Sequence, residues 1–318
     1  MHDALLSIRG LSKTFHSDRG PVYAVQDVSL DIPKGSIVGL VGESGSGKTT
    51  LGRTVLRLIK PSSGSTYFDG TDLNTLNTKD MQAMRRRMQI IFQDPVASLN
   101  PRLRVRDVIA EGLVAHGVGS GREREQKVAA LLEEVGLKAE HMNRYPHEFS
   151  GGQRQRIGIA RALALDPDFI VADESVSALD VSIQAQVLNL LLDIRDRRGL
   201  TMLFIAHDLS VVEYLCDVTA VMYLGRLVEV GPSSRVYSEP AHPYTKALLS
   251  AIPLPEPGAK RGRELLQGDI PSPLDPPSGC VFRTRCRHAQ AACAETVPSL
   301  SPWGDECQAA CLRLSEIS

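Results

Sequence analysis

Long apolar runs are missing from this chain: no stretch approaches the roughly 20 apolar residues that a helix needs to cross a bilayer. The amino terminus, Met1-His2-Asp3-Ala4, also lacks the basic-then-apolar layout of a secretory signal. Both absences predict a protein kept in the cytoplasm, one that works at a membrane only by binding another protein. An excess of positive charge is missing too. With 36 Lys and Arg against 37 Asp and Glu the net charge is −1, so no global polycation points to nucleic acid. Cysteine is scarce until the end, where five of the six fall between Cys280 and Cys311. In a reducing compartment that clustering argues for metal over a disulfide framework. What is present, 318 residues at 42% hydrophobic, suffices for one large domain or for an ordinary one with an appendage.

The chain is organised around Gly42-Glu43-Ser44-Gly45-Ser46-Gly47-Lys48-Thr49, which satisfies G-x-x-x-x-G-K-[ST]. The apolar run Ile37-Val38-Gly39-Leu40-Val41 precedes it, as expected for a strand buried on both faces. Leu51, Val55, Leu58 and Ile59 follow at helical spacing. In that strand–loop–helix context, Gly42, Gly45 and Gly47 let the backbone turn its N–H groups inward, with Ser44 and Ser46 between them. Lys48 can then reach the β- and γ-phosphates of a nucleotide, and the Thr49 hydroxyl, followed by Thr50, can ligate Mg²⁺.

Upstream, residues 4–34 alternate apolar and polar positions and read as antiparallel strands about a turn at Arg19-Gly20-Pro21. Phe15 is a candidate for stacking on the nucleotide base, with Tyr23 as the weaker alternative and plain core as the other reading. Downstream, Met88-Gln89-Ile90-Ile91-Phe92 reads as a buried strand with Gln93 at its carboxyl end, where ligands gather in open α/β sheets. The run Arg85-Arg86-Arg87 reads as a solvated helix face. Residues from about 94 to 166 turn helical after the break at Asp94-Pro95, with Val128, Leu131, Leu132 and Val135 on one face. They close on Phe149-Ser150-Gly151-Gly152-Gln153, where Ser150 is placed to cap a helix and the glycines expose N–H groups. That is a second anion-binding device, which one nucleotide does not obviously need.

Phe169-Ile170-Val171-Ala172-Asp173-Glu174 sets two carboxylates at a strand end: Asp173 suits Mg²⁺ and Glu174 suits a water-polarising base. Ser177-Ala178-Leu179-Asp180 leads into a helix with Ile183, Val187, Leu190, Leu191 and Ile194 on one face and Gly199 as its stop. The strand Met202–Ala206 ends at His207, placed to reach a γ-phosphate. Residues 221–223 and 227–230 flank Leu224-Gly225-Arg226 as a hairpin. After Pro253–Pro257 the chain is a Pro-rich connector. It leads to Cys280-x5-Cys286-x6-Cys293, then Cys307 and Cys311, a spacing that suits structural Zn²⁺ about as well as an iron–sulfur cluster. Arg283, Arg285 and Arg287 interleave with the first two cysteines and could balance a negative cluster. Cys216 reads as a small buried hydrophobe.

In this order the segments resemble the nucleotide-binding subunits of ABC transporters. Residues 42–49 resemble Walker A, Gln93 the Q-loop, and 149–153 the LSGGQ signature with Phe first. Residues 169–174 resemble Walker B with its catalytic Glu174, 177–180 the D-loop with Asp180, and His207 the H-loop. The resemblance implies an α/β fold: a RecA-like P-loop core with an antiparallel β edge and an inserted helical subdomain at about 94–166. It implies a cassette over residues 1–235 and a Cys-rich C-terminal extension over 236–318. It implies a head-to-tail dimer in which Ser150, Gly151, Gly152 and Gln153 complete the partner's ATP site, with Mg²⁺ held by Thr49, Gln93 and Asp173. Ala97-Ser98-Leu99-Asn100-Pro101-Arg102, His242-Pro243-Tyr244-Thr245-Lys246-Ala247-Leu248-Leu249 and the closing cysteines resemble the dipeptide/oligopeptide permease ATP-binding subunits.

Residues 183–190 and Met222-Tyr223-Leu224-Gly225-Arg226 resemble the F-type member. That implies a D-type ATP-binding partner, two transmembrane permease subunits and, through them, a peptide-binding protein, with the chain at the cytoplasmic face of the membrane and no nucleic acid bound. By the same match Cys280, Cys286, Cys293 and Cys311 would hold a [4Fe–4S] cluster, with Zn²⁺ as the alternative and Cys307 spare. Ser175 stands where the family usually has Pro, a change that removes no chemical group. DNA-acting ABC ATPases would carry a long coiled-coil or zinc-hook insertion in the helical region, and ribosome-acting ones a second cassette. Neither feature is present.

Overall fold

The computed structural model describes residues 4–94, 96–177, 179–252, 266 and 268–317. The expected connector Pro253–Pro257, the strand break at Pro95, Ala178 and the Met1–Asp3 terminus lie outside the described residues. Two compact units are present: Pro33–Gly35 with Thr75–Ile205, and Ala4–Ile32 with Ser36–Asn74 and Ala206–Ser318.

In the Thr75–Ile205 unit, strands Met88–Ile91, Phe169–Asp173 and Thr201–Ala206 are parallel, with Met88 opposite Phe169 and Phe169 opposite Thr201. Every residue of Phe169–Asp173 is buried, so the apolar run Phe-Ile-Val-Ala carries its terminal carboxylate into a dry position. Helices Val105–Ala115, Gly121–Glu134 and Gly151–Leu163 occupy the segment expected to be helical. The second starts on a capping box, Ser120 with Glu123, and buries Val128, Leu131, Leu132 and the adjoining Val135 as the periodicity predicts. Helix Val181–Arg198 ends at Gly199, which adopts φ 61° and donates its N–H to the Arg195 carbonyl. Arg198 then forks onto the Glu134 carboxylate at 2.6 Å and holds it below the usual carboxylate range. Arg85 and Arg86 are exposed, as a solvated face predicts, while Arg87 pairs with Asp168 at 2.5 Å.

The other unit carries an antiparallel sheet in the order Gly20–Pro33, Ala4–Ser17, Ser63–Phe68, Thr71–Asp72, burying Leu6, Ile8 and Leu11. It also contains strand Ile37–Val41, parallel to Val218–Tyr223, which forms a hairpin with Arg226–Pro232. The hairpin turn is built by Leu224 and Gly225, both at positive φ. The edge of Arg226–Pro232 is extended by Gln308–Ala309 and then Ser301–Pro302, so the end of the chain is hydrogen-bonded into this unit. Part of the Pro-rich connector is docked as well, with the Pro273 carbonyl accepting from Tyr23 N–H at 3.0 Å. Cys216 is buried against Gly39, where a β-carbon would lie 2.9 Å from the sulfur, which bears out its reading as core.

One expectation needs correction. The helix after the phosphate loop is only Lys48–Val55, so Leu58 and Ile59 are not on its face. Arg57 enters the left-handed region at φ 56°, and the N–H groups of Leu58 and Ile59 both fold back on the Arg53 carbonyl. That turn satisfies the helix's last carbonyls and throws Leu58 outward, 50% exposed.

Candidate functional site

The phosphate loop leaves the buried strand Ile37–Val41 and enters helix Lys48–Val55, with Gly47 at the N-cap in a left-handed conformation, φ 104°. Its glycines are required by close approach as well as by φ. A β-carbon on Gly42 would lie 2.1 Å from the Met222 carbonyl oxygen, and one on Gly47 2.1 Å from that of Ala24. The Ser46 carbonyl accepts from Gly225 N–H at 2.8 Å, so the hairpin turn supports the loop from behind. Lys48 is 4% exposed, and its ammonium donates to the carbonyls of Gly42 at 2.7 Å and Glu43 at 3.0 Å. A cation is thus held in the centre of a backbone cradle at a helix N-terminus, which is the arrangement an oligophosphate requires. Ser44, Gly45 and Ser46 complete the loop, and Thr49 and Thr50 open the helix.

His207, in the same unit, is exposed and followed by Asp208, whose carboxylate caps helix Leu209–Leu215 by accepting from Ser210 N–H at 2.9 Å. Phe15 is 38% exposed, with the Lys13 ammonium 4.8 Å from its ring centre, so it is not core. Tyr23 is 37% exposed.

The Thr75–Ile205 unit brings Gln93, Asp173 and Glu174 together. Gln93 Nε2 donates to Glu174 Oε2 at 2.8 Å, linking residues that are 81 positions apart in sequence. Asp173 is 1% exposed, paired in register with Ile205. Glu174 sits at φ 43° with its N–H donated to the Ile205 carbonyl at 2.9 Å. A non-glycine residue at positive φ directly after a strand aims its side chain away from the strand's own path, at a cost of about 1–3 kcal/mol that the fold sustains. The turn that follows is closed by Ser177, whose N–H and hydroxyl both reach the Glu174 carbonyl, at 3.2 and 2.9 Å. Ser175, where Pro was expected, is buried within this turn. Asp180 caps helix Val181–Arg198 through its backbone, without a side-chain hydrogen bond.

In the same unit, Ser150 caps helix Gly151–Leu163 as the sequence predicts, and Gln153, which the sequence reading gave no capping role, completes a full capping box. Gly152 is required by packing: a β-carbon there would lie 2.4 Å from Ile183 Cγ2. Gly151 has room, its nearest neighbour being Leu179 at 3.8 Å. The box leaves the first turn's N–H groups directed out of the helix end, an anion site in waiting.

Within the Thr75–Ile205 unit the Gln93 amide oxygen and the Asp173 carboxylate are oxygen donors of the kind Mg²⁺ takes, and the Thr49 hydroxyl of the other unit is a donor of the same chemistry, so the residue types fit that ion. In the tail, Cys280, Cys286, Cys293 and Cys311 line one small cavity together with Arg283, His288 and Arg313. Burial pushes the Cys280 thiol up to about 11 and also raises Cys286 and Cys311. As the side chains stand, no group of three or more His, Cys, Asp or Glu among the described residues is set to hold a metal ion. Cys307 is buried elsewhere, against Gly231.

Of the three arginines interleaved with the cysteines, Arg283 lines the same cavity and Arg285 turns to a carboxylate. Arg283 donates to the Ser278 carbonyl, Arg287 to His288, and Arg285 to both carboxylate oxygens of Glu43. A carboxylate outcompetes a neutral thiol for a guanidinium, which accounts for the position of Arg285. Sequence reasoning also missed Arg313, whose Nη1 donates to the His288 carbonyl at 2.6 Å beside the cavity. Its only signal was proximity to Cys311. Tyr244 lies within the His242–Leu249 motif, whose resemblance assigns it no role. Its hydroxyl accepts from Glu43 N–H at 2.9 Å.

Comparison with known proteins gives a consistent result. Residues 25–177 match the family model described as ABC transporter, and residues 228–293 match the oligopeptide/dipeptide transporter C-terminal region. A Brucella ovis protein named as a peptide import ATP-binding protein is 60% identical over 93% of both chains. The oligopeptide transport ATP-binding protein OppF of Bacillus subtilis is 57% identical over 83% of this chain and 87% of its own length. Among solved structures, the ATP-binding cassette MJ0796, a dimer in a post-hydrolysis state bound to ADP and Pi, matches with a TM-score of 0.66 at 29% identity. That match covers 72% of this chain and 98% of the cassette.

Proposed function

This chain belongs to the ABC transporter ATP-binding proteins, and from that premise we propose that it hydrolyses ATP to drive peptide import through membrane-spanning partners. The observation that carries the reading is the join of an ABC cassette to an oligopeptide/dipeptide transporter C-terminal region in one chain, at 60% identity to a relative named for peptide import. Nickel-chelate or glutathione import by the same kind of subunit is the other reading, since an ATPase subunit need not touch the solute.

The roles follow from chemistry. The backbone cradle of 42–47 and the Lys48 ammonium bind phosphates, with Thr50 beside Thr49 at the helix start. Mg²⁺, held by Thr49, Gln93 and Asp173, offsets charge on the phosphate oxygens when bound. Glu174 orients the attacking water and accepts its proton, Gln93 sets the position of that carboxylate, and His207 contacts the γ-phosphate. Phe15 stacks on the base. Ser150, Gly151, Gly152 and Gln153 present the capped helix end to the partner's nucleotide, with Asp180 at the same interface. ATP therefore favours closure of a head-to-tail dimer, and hydrolysis releases it. We assign the cassette to residues 1–235 and the extension to 236–318, with the helical segment about 94–166 receiving the membrane subunits.

The partners we infer are a D-type ATP-binding subunit, two permease subunits and a peptide-binding protein, with this chain peripheral at the cytoplasmic face. No helix among the described residues is long and apolar enough to cross a membrane, so attachment would come through those partners. Affinity purification of the tagged chain from solubilised membranes should recover two integral membrane proteins and a second ATPase in equal amounts. Recovery of the tagged chain without any membrane protein would count against the transporter assignment.

We further infer that Cys280, Cys286, Cys293 and Cys311 bind metal as thiolates, a [4Fe–4S] cluster ahead of Zn²⁺. Support comes from their shared cavity and from the position of Cys307 outside it. Anaerobically purified protein should be brown with broad visible absorption; Cys311→Ser should bleach it and Cys307→Ser should not. Colourless protein with one equivalent of zinc would leave the thiolate site standing and refute the cluster.

A further inference from the structure

The phosphate loop contains an acid where it is built to take an anion. Glu43 follows Gly42 directly, and its backbone carbonyl is one of the two that hold the Lys48 ammonium at 3.0 Å. A carboxylate so placed would repel the phosphates that Lys48 and the loop N–H groups attract. In this structure the charge is met from the far end of the chain. Arg285 Nη1 lies 2.7 Å from Glu43 Oε2 and Nη2 3.2 Å from Oε1, a fork-on-fork pair whose side chains are 6% and 24% exposed. The Tyr244 hydroxyl holds the same residue by its backbone, accepting from Glu43 N–H at 2.9 Å.

Neither contact is an incidental surface encounter. Tyr244 and Phe282 are fully buried, with ring centres 5.4 Å apart, and Tyr223 packs on both, at 4.7 Å from Tyr244 and 5.3 Å from Phe282. Arg285 is three residues past Phe282, and its guanidinium carbon stands 5.9 Å from the Tyr223 ring centre. The aromatic cluster therefore fixes where the guanidinium can go, at low entropic cost for holding it there. Tyr223 also ends the strand whose preceding carbonyl, Met222, is the atom that a β-carbon on Gly42 would strike. One packed block thus sets the shape of the loop, its backbone anchor and its charge.

We propose that Arg285 and Tyr244 are positioning residues for nucleotide binding: the C-terminal region neutralises Glu43 and pins the phosphate loop in its anion-accepting form. The inference rests on the reading of residues 42–49 as an ATP site. It needs no metal in the tail. It assigns the C-terminal region a direct part in nucleotide affinity.

Calorimetric titration of the full-length chain with a non-hydrolysable ATP analogue and Mg²⁺ tests it. Arg285→Ala should weaken binding roughly tenfold, because it leaves a half-buried carboxylate uncompensated beside the phosphates. Glu43→Gln should weaken it less than Arg285→Ala does, and the double variant Arg285→Ala/Glu43→Gln should recover to the level of Glu43→Gln alone. Raising the salt concentration should shrink the Arg285→Ala defect, since screening weakens the exposed part of the repulsion. A merely structural arginine would give a double variant at least as weak as Arg285→Ala, and that result would overturn the proposal. So would unchanged binding in Arg285→Ala. If that variant does not fold, the comparison of Arg285→Lys with Arg285→Gln replaces it. Lys should retain most of the affinity and Gln should lose it, and equal affinities would refute the charge role. Wild-type protein that binds no nucleotide would instead defeat the ATP-site reading itself.

Discussion

Glu174→Gln should lower steady-state ATP turnover of the assembled transporter by roughly 10²–10⁴-fold, the usual worth of a positioned general base. Nucleotide binding should be little changed, because Lys48 and the glycine cradle are untouched. The substitution is nearly isosteric, and a glutamine at 174 still offers an oxygen to the Gln93 amide that now donates at 2.8 Å. The strained φ of 43° and the Ile205 hydrogen bond belong to the backbone and persist. The variant therefore removes a proton acceptor and little else. Single-turnover and steady-state assays on the reconstituted complex would check it. Turnover at the wild-type rate would place the catalytic base elsewhere.

Gly151→Asp separates helix stability from function. Gly151 is the first residue of helix Gly151–Leu163, and a β-carbon there meets only Leu179, at 3.8 Å. An acid in the first turn favours the helix, through the macrodipole and through the loss of glycine's conformational freedom, by about 0.5–1 kcal/mol. The same charge would occupy the place proposed for the partner's γ-phosphate. Thermal unfolding should be unchanged or slightly higher, the chain's own nucleotide affinity unchanged, and turnover of the complex reduced by roughly 10²-fold or more, comparable to loss of a preorganised donor. Turnover at the wild-type level would contradict the composite site; turnover lost together with folding would call for Ser150→Ala, whose cap loss of about 1 kcal/mol the helix should tolerate.

Much of this molecule was legible in its sequence where the signal is local. The phosphate loop, the Ser150 cap, the Gly199 stop and the buried face at Val128, Leu131 and Leu132 each depend on residues within a few turns of one another. Leu58 and Ile59 were misplaced because apolar spacing continues past a helix that ends at Val55; what ends it is the backbone reversal at Arg57, and periodicity does not register that. Pairings across the chain left no local trace. Gln93 was placed by its strand end, yet its bond to Glu174 spans 81 residues, and the Arg285–Glu43 pair spans 242. Arg285 reads in sequence with its neighbours, the cysteines, while the carboxylate it meets comes from the other end of the unit.

The most direct test of the central claim is peptide uptake into proteoliposomes containing the purified complex, oriented so that this chain faces the added ATP. Labelled di- or oligopeptide, delivered with its binding protein, should accumulate only when ATP is supplied, and wild-type accumulation should fall to background with Glu174→Gln in this chain. Uptake that proceeds without ATP, or that Glu174→Gln leaves intact, would contradict the claim that hydrolysis by this chain powers peptide import.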